Sequence, residues 1–136
     1  MPSETITALT SDDPDFYPLI GPFLANRDVF RAVGDKIWDD PGKTWLVARG
    51  PHGTVTGFIG VRTARGGLTQ FESCYTVEAD SALARRLVQD ALDRISPSPA
   101  AAVVLRGPML EAYLAAGFTE VGEGTVRFAK IAHRGA

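Results

Sequence analysis

Apolar residues recur along this chain with two different periods, and the period predicts which element each segment forms. Alternating or β-branched runs indicate strands, whereas apolar residues spaced three or four positions apart indicate helices. The clearest helix begins at Asp80 or Ser81 and carries an apolar face from Leu83 to Ile95. The unbroken apolar run Ala101–Leu105 is typical of a buried parallel strand. The predicted strands are Thr5–Leu9, Thr44–Ala48, Thr54–Thr63, Leu68–Val77, Ala101–Leu105, Phe118–Val121 and Thr125–Ile131.

Capping residues, prolines and glycines predict where the other helices begin and end. Ser11–Pro14 begins a first helix, which the prolines and glycine that follow keep short or broken. Asn26 caps a second helix that ends at Gly34. A further helix contains Tyr113, and the tail Ala132–Ala136 is predicted to be loose.

The order of these elements predicts a mixed α/β (α+β) fold. Three consecutive strands with short turns form an antiparallel meander in the N-terminal part of a mixed central sheet. A strand and two helices precede the meander, and a helix, a strand, a helix and a β-hairpin follow it. No repeat or long linker divides the chain, so residues 1–136 are predicted to form one domain.

Composition excludes several classes of function. The formal net charge of −2 gives no general attraction to nucleic acid or to an anionic membrane. The single cysteine, Cys74, allows no internal disulfide and no thiolate cluster for a metal. The sequence shows no signal peptide and no long apolar run, so we expect a cytoplasmic protein.

The segment Tyr113–Phe118 carries the most informative pattern, a short helix that ends in Gly117-Phe118 with a tyrosine four residues before the glycine. This resembles the last helix-to-strand corner of the GCN5-related N-acetyltransferase (GNAT) family. Gly57-Phe58-Ile59-Gly60 resembles a step that the family often shows on its third strand. The resemblance implies the acyl-CoA N-acyltransferase fold. It also implies a cleft between the Leu68–Val77 and Ala101–Leu105 strands, where Thr76 and Val77 would contact the pantetheine arm.

The segment Thr76–Leu87 departs from that family. The family binds the pyrophosphate of coenzyme A with a Gln/Arg-x-x-Gly-x-Gly/Ala loop, whose backbone N–H groups wrap the phosphates. Here the segment has no glycine, and Glu78 and Asp80 place negative charge where phosphates would arrive.

Four residues at the start of the following helix could compensate for the missing glycine loop. The backbone N–H groups of Ser81 and Ala82 lie at a helix start, and the side chains of Arg85 and Arg86 lie within two turns of it. These four are the candidate phosphate contacts. In the alternative interpretation, Asp80 caps the helix and both arginines are solvated.

The resemblance implies that Tyr113 is a general acid that protonates the leaving thiolate. The alternative is a core tyrosine with a hydrated hydroxyl. Glu72 is the candidate general base, since family members often carry a carboxylate on this strand, although it can equally face solvent. Strict alternation places Glu72 on one face with Gln70, Cys74 and Thr76, opposite Phe71, Ser73 and Tyr75.

Three functions remain open from the sequence. The first is an N-acyltransferase, in particular an acetyltransferase, that moves an acyl group from acetyl-CoA or another acyl-CoA to a small-molecule or peptide amine. The second is a divergent relative that does not use coenzyme A in the usual way, such as a phage-type nucleobase-modifying enzyme. The third is a non-catalytic binding module with the same fold. No metal site is predicted, and a homodimer is compatible with the sequence.

Overall fold

One mixed sheet of seven strands organises the protein, whose computed structural model describes residues 4–63 and 65–135. The strands of the described part are β1 (Thr5–Leu9), β2 (Thr44–Arg49), β3 (Val55–Thr63), β4 (Thr69–Thr76), β5 (Ala100–Leu105), β6 (Thr119–Glu120) and β7 (Phe128–His133). Its α-helices are α1 (Phe16–Leu24), α2 (Arg27–Val33), α3 (Ser81–Ile95) and α4 (Pro108–Ala115), and Arg65–Gly67 forms a 3-10 turn.

The strand order confirms the predicted topology. The sheet runs β1-β2-β3-β4-β5-β7-β6, and β1 to β4 are successive antiparallel neighbours. β5 lies parallel to β4, as the apolar run predicted, and β7 pairs antiparallel with both β5 and β6. The crossover from β4 to β5 is made by α3, the longest helix described.

Helices cover both faces of the sheet, and β2 shows this most directly. Trp45 and Val47 are buried in a core that includes Phe16 of α1 and Val29 of α2. Leu46 and Ala48, with the opposite parity, are buried in a second core formed with α3 and α4. A strand buried on both faces reads as a continuous apolar run, which is why the pattern of β2 shows no alternation.

The cap predicted for the second helix is present, whereas the first helix begins later than predicted from Ser11–Pro14, at Phe16, with Asp15 at the N-cap and no side-chain hydrogen bond there. Asn26 Oδ1 accepts hydrogen bonds from the backbone N–H groups of Asp28 (2.9 Å) and Val29 (3.3 Å). Gly34 ends α2 with φ +89°, a conformation that a residue with a Cβ rarely adopts. α1 is short, as predicted, but continues through Pro22 without a break.

The C-terminal segment differs from its prediction. The tail Ala132–Ala136 was expected to be loose, yet β7 continues through Ala132 and His133, which pair with Ala101 and Ala100 of β5. Backbone pairing on β5 and β6 orders these residues, and no side-chain pattern marks that pairing. Ala136 lies outside the described residues. The hairpin is present, but its paired arms are shorter than predicted.

Candidate functional site

A β-bulge in β4 opens the sheet. Phe58 pairs with Tyr75 and Gly60 pairs with Glu72, so two residues of β4 face one of β3. Ser73 lies in the bulge with φ +57°, which is uncommon for a residue other than glycine. Among the described residues, β4 and β5 pair from Thr69↔Ala100 to Phe71↔Ala102 and no further, although both strands continue. The predicted cleft between these strands is therefore confirmed.

The bulge also changes which side chains share a face, and here the sequence prediction is wrong. Strict alternation placed Glu72 with Cys74 and Thr76. The extra residue shifts the parity by one, so Cys74 is buried with Phe71 in the core under α3 and α4. Tyr75 packs against the opposite core, under α1 and α2.

Three adjoining spaces run through the sheet at this opening. The large cavity, of about 800 Å³, includes Arg62, Glu72, Ser73 and Val103 in its lining. The waist, of about 20 Å³, lies between the diverging strands. The small cavity, of about 180 Å³, lies beside the start of α3. Ser73 and Val103 line both the large cavity and the waist, and Cys74 and Met109 line both the waist and the small cavity.

Tyr113 of α4 lines the waist and is only 1% exposed. Its ring packs edge-on against Phe118, with centroids 5.1 Å apart, which explains why the Tyr-x-x-x-Gly-Phe spacing holds it in place. Burial raises the pKa of Tyr113 well above its ordinary value, and the charges of Cys74 and Glu72 add to this. The hydroxyl therefore keeps its proton at neutral pH and can donate a hydrogen bond into the waist.

Glu72 holds two cations at the wall of the large cavity. Its Oε1 lies 2.9 Å from Lys43 Nζ, and its Oε2 lies 3.0 Å from an Arg62 nitrogen. Burial alone raises the pKa of Glu72, but hydrogen bonds and charge from Lys43 and Arg62 outweigh burial and lower it below its ordinary value. The carboxylate is therefore ionised at neutral pH and is a weak proton acceptor.

Lys43 was not predicted as a site residue, although it is 1% exposed and pairs with Glu72 directly behind the cavity lining. Its ammonium donates to Trp38 O at 2.8 Å and lies 4.4 Å from the centre of the Trp45 ring. A Cβ placed on Gly60 would overlap Lys43 Cε, so the glycine makes room for the lysine. The sequence signal for this buried lysine is weak. It consists of a lysine directly before an apolar strand, with a glycine-interrupted strand next along the chain.

The start of α3 is already occupied by a carboxylate. Asp80 Oδ1 accepts the backbone N–H of Leu83 at 3.0 Å, which confirms Asp80 as the N-cap. Thr76 Oγ1 accepts the backbone N–H of Asp80 at 2.8 Å. Ala79, in the turn before the helix, has φ +52°.

The predicted cofactor contacts separate into two groups in the structure. Thr76 and Ser81 line the small cavity. The other four are not part of its lining. Val77 donates its N–H to Thr56 O (2.9 Å), Arg86 pairs with Glu4 (3.2 Å), and Ala82 and Arg85 are exposed.

Among the described residues, no group of three or more histidine, cysteine or acidic side chains is arranged to hold a metal ion. In that same part of the chain, no helix combines the length and the apolar character that a membrane span requires.

The fold is similar to that of solved N-acetyltransferases. The chain is similar to the spermidine N-acetyltransferase of Vibrio cholerae, solved with CoA and spermine, with TM-score 0.73 and 14% identity over 96% of this chain and 95% of that chain. It is also similar to Escherichia coli ElaA, with TM-score 0.69 and 13% identity over 95% of this chain and 98% of that chain. No family model and no curated protein matches the sequence. The chain therefore has the GNAT fold, as the resemblance implied.

The fold implies coenzyme A as the acyl carrier. The residues present suit its thioester end but not its diphosphate end. Mostly apolar side chains line the waist and much of the small cavity, which suits an uncharged thioester arm. The start of α3 does not suit a diphosphate, because the Asp80 carboxylate already accepts a helix N–H and carries negative charge.

Proposed function

We propose that the protein is an N-acyltransferase that moves an acyl group from a thioester of the acyl-CoA type to an amine. The observation that carries this proposal is the row of three adjoining spaces, here called the passage, with Tyr113 at its waist. In this proposal the two substrates approach each other from the large and the small cavity. Holding two reactants in line in this way is itself a large source of rate.

Tyr113 is proposed to supply the proton in this reaction. Bound thioester supplies an activated acyl group and a thiol leaving group. Tyr113 holds its proton on Oη and donates it toward the sulfur as negative charge develops there. The pKa of Tyr113 lies above its ordinary value, so the hydroxyl is protonated at neutral pH and needs no prior proton transfer.

Glu72 remains a predicted general base, but its surroundings favour a different contribution. A base works best with a pKa near the working pH, whereas the two cations lower the pKa of Glu72. We infer that the carboxylate chiefly holds Lys43 and Arg62 at the cavity wall. The amine would then lose its proton to water, or to Glu72 only when binding displaces a cation.

The test is Tyr113→Phe, with acetyl transfer to a panel of amines followed by release of free thiol. We expect turnover to fall on the order of 10²–10⁴-fold, the usual contribution of a general acid. The unfolding midpoint should change little, because the ring and its contact with Phe118 remain. Tyr17→Phe is the matched control, since Tyr17 is 51% exposed and lies outside the passage. Full activity in Tyr113→Phe would overturn the assigned role.

A further inference from the structure

We propose that this site recognises the acyl-thioester arm of its donor and makes little use of the nucleotide. Short thioesters such as acetyl-pantetheine would then bind about as well as acetyl-CoA. This inference rests on the proposed function, because it concerns the donor of the same reaction. Three features of the donor side carry it.

The first feature is the hydrogen bonding at the start of α3. Free N–H groups at a helix start are what attract phosphate. Here the N–H of Leu83 donates to Asp80 Oδ1 (3.0 Å), and the N–H of Asp80 donates to Thr76 Oγ1 (2.8 Å). The capping atom is itself an anion, so it already accepts one N–H of the helix start and repels a phosphate that approaches.

The second feature is the position of the nearest cations. Arg86 contacts Glu4 twice, with nitrogens 3.2 Å from Glu4 Oε1 and 2.9 Å from Glu4 O. That fork of hydrogen bonds ties the guanidinium to the segment before β1. Neither Arg86 nor Arg85 lines the small cavity. The cavity beside the helix start therefore carries the negative charge of Asp80 with neither arginine in its lining.

The third feature is the size and lining of the small cavity. At about 180 Å³ it is smaller than the pockets of roughly 300–1,000 Å³ that enclose drug-sized ligands. Its walls include Ala32, Ala84, Pro108 and Met109, and its charged lining residue is Asp80. A narrow, mostly apolar channel with a carboxylate at its rim suits an uncharged chain better than a diphosphate.

Equilibrium binding separates the arm from the nucleotide. Calorimetric titration of the protein with acetyl-CoA and with acetyl-pantetheine, without an amine, should give dissociation constants within about tenfold of each other. A preference for acetyl-CoA greater than about tenfold would show that the nucleotide is recognised and would overturn the inference. Failure of acetyl-pantetheine to bind at millimolar concentration would overturn it as well.

A charge variant tests the reason for the effect. Asp80→Asn keeps a good capping group and removes one negative charge. We expect tighter binding of acetyl-CoA by a few-fold and unchanged binding of acetyl-pantetheine. Asp90→Asn, on the same helix and paired with Arg94, is the control and should change neither. Equal responses to both thioesters in Asp80→Asn would contradict the electrostatic explanation.

The outcomes for donor recognition and for the reaction are independent. If both thioesters bind alike but no amine is acylated, the proposed function fails and the donor inference stands. If amines are acylated and acetyl-CoA binds far more tightly than acetyl-pantetheine, the function stands and the donor inference fails.

Discussion

Replacing Glu72 by glutamine tests an uncommon packing arrangement, a buried lysine directly before β2. The variant keeps the shape of the side chain but leaves the Lys43 ammonium, 1% exposed, without a counter-charge at 2.9 Å. Trp38 O at 2.8 Å and the Trp45 ring remain as its partners. A neutral carbonyl and a ring offset only part of the cost of burying a charge.

The expected magnitude follows from how deeply each partner is buried. Removing one member of a fully buried pair costs about 3–5 kcal/mol. The side chain of Glu72 is 29% exposed and that of Arg62 is 33% exposed, so water screens part of the interaction. We therefore expect the free energy of unfolding of Glu72→Gln to fall by about 2–3 kcal/mol. In a chain of this size that corresponds to a melting temperature lower by roughly 6–12 °C.

Urea unfolding at neutral pH measures this loss, and two further variants show its origin. Arg62→Gln removes the more exposed partner and should cost less than about 1 kcal/mol. Lys43→Met combined with Glu72→Gln removes both buried charges and should recover most of the lost stability. If Glu72→Gln unfolds within about 0.5 kcal/mol of the wild type, the buried pair does not stabilise the fold as reasoned here.

The pH dependence gives a second readout of the same pair. Burial raises the pKa of Glu72, but Lys43 and Arg62 lower it further than burial raises it, so the folded-state pKa lies below the ordinary 4.5. A carboxyl with a lowered pKa adds stability that is fully present above the unfolded value and is lost as pH falls through the folded value. The difference between wild type and Glu72→Gln should therefore be largest at neutral pH and shrink below pH 4.5. A difference that stays constant into acid would refute this explanation.

Two further substitutions or reagents address neighbouring features. Gly60→Ala should lower the free energy of unfolding by about 1–3 kcal/mol, because its Cβ would overlap Lys43 Cε. Gly21→Ala is the control and should not destabilise the protein, because nothing lies within 4 Å of the new Cβ. Equal urea midpoints for the two variants would contradict the packing argument. Burial raises the pKa of the Cys74 thiol to about 12, so alkylation by iodoacetamide at pH 8 should be much slower in the native protein than in urea; equal rates would show that the thiol is as reactive in the fold as outside it.

Much of the fold could be predicted because its signals are local. The Asn26 cap, the Gly34 terminus and the apolar face of α3 each depend on residues a few positions apart. The parallel strand Ala101–Leu105 was predicted from its continuous apolar run, although the structure buries only one of its faces and leaves Val103 62% exposed. Pattern and order together then sufficed for the topology of the sheet.

The site was less predictable because its geometry depends on one irregular residue. Ser73 has φ +57° without being glycine or asparagine, so nothing in the sequence marks the bulge. A period-2 prediction that passes through a bulge inverts every later position, and Cys74 and Thr76 were misplaced for this reason. Lys43 was missed on different grounds, since a charged residue at a strand start is normally solvated, and burial here depends on partners distant in sequence.

The same bulge accounts for the relation between the two predicted catalytic groups. Before Ser73, the odd residue Phe71 faces the core under α3 and α4, and Glu72 faces the large cavity. After Ser73, Cys74 lies on the same face as Phe71 and lines the waist together with Tyr113. Glu72 and Tyr113 thus belong to opposite faces, yet the charge of Glu72 contributes, after burial and Cys74, to the raised pKa of Tyr113. The bulge therefore lies where the pairing of β4 with β5 ends, and the Tyr113 hydroxyl and the Glu72 carboxylate interact electrostatically across this opening.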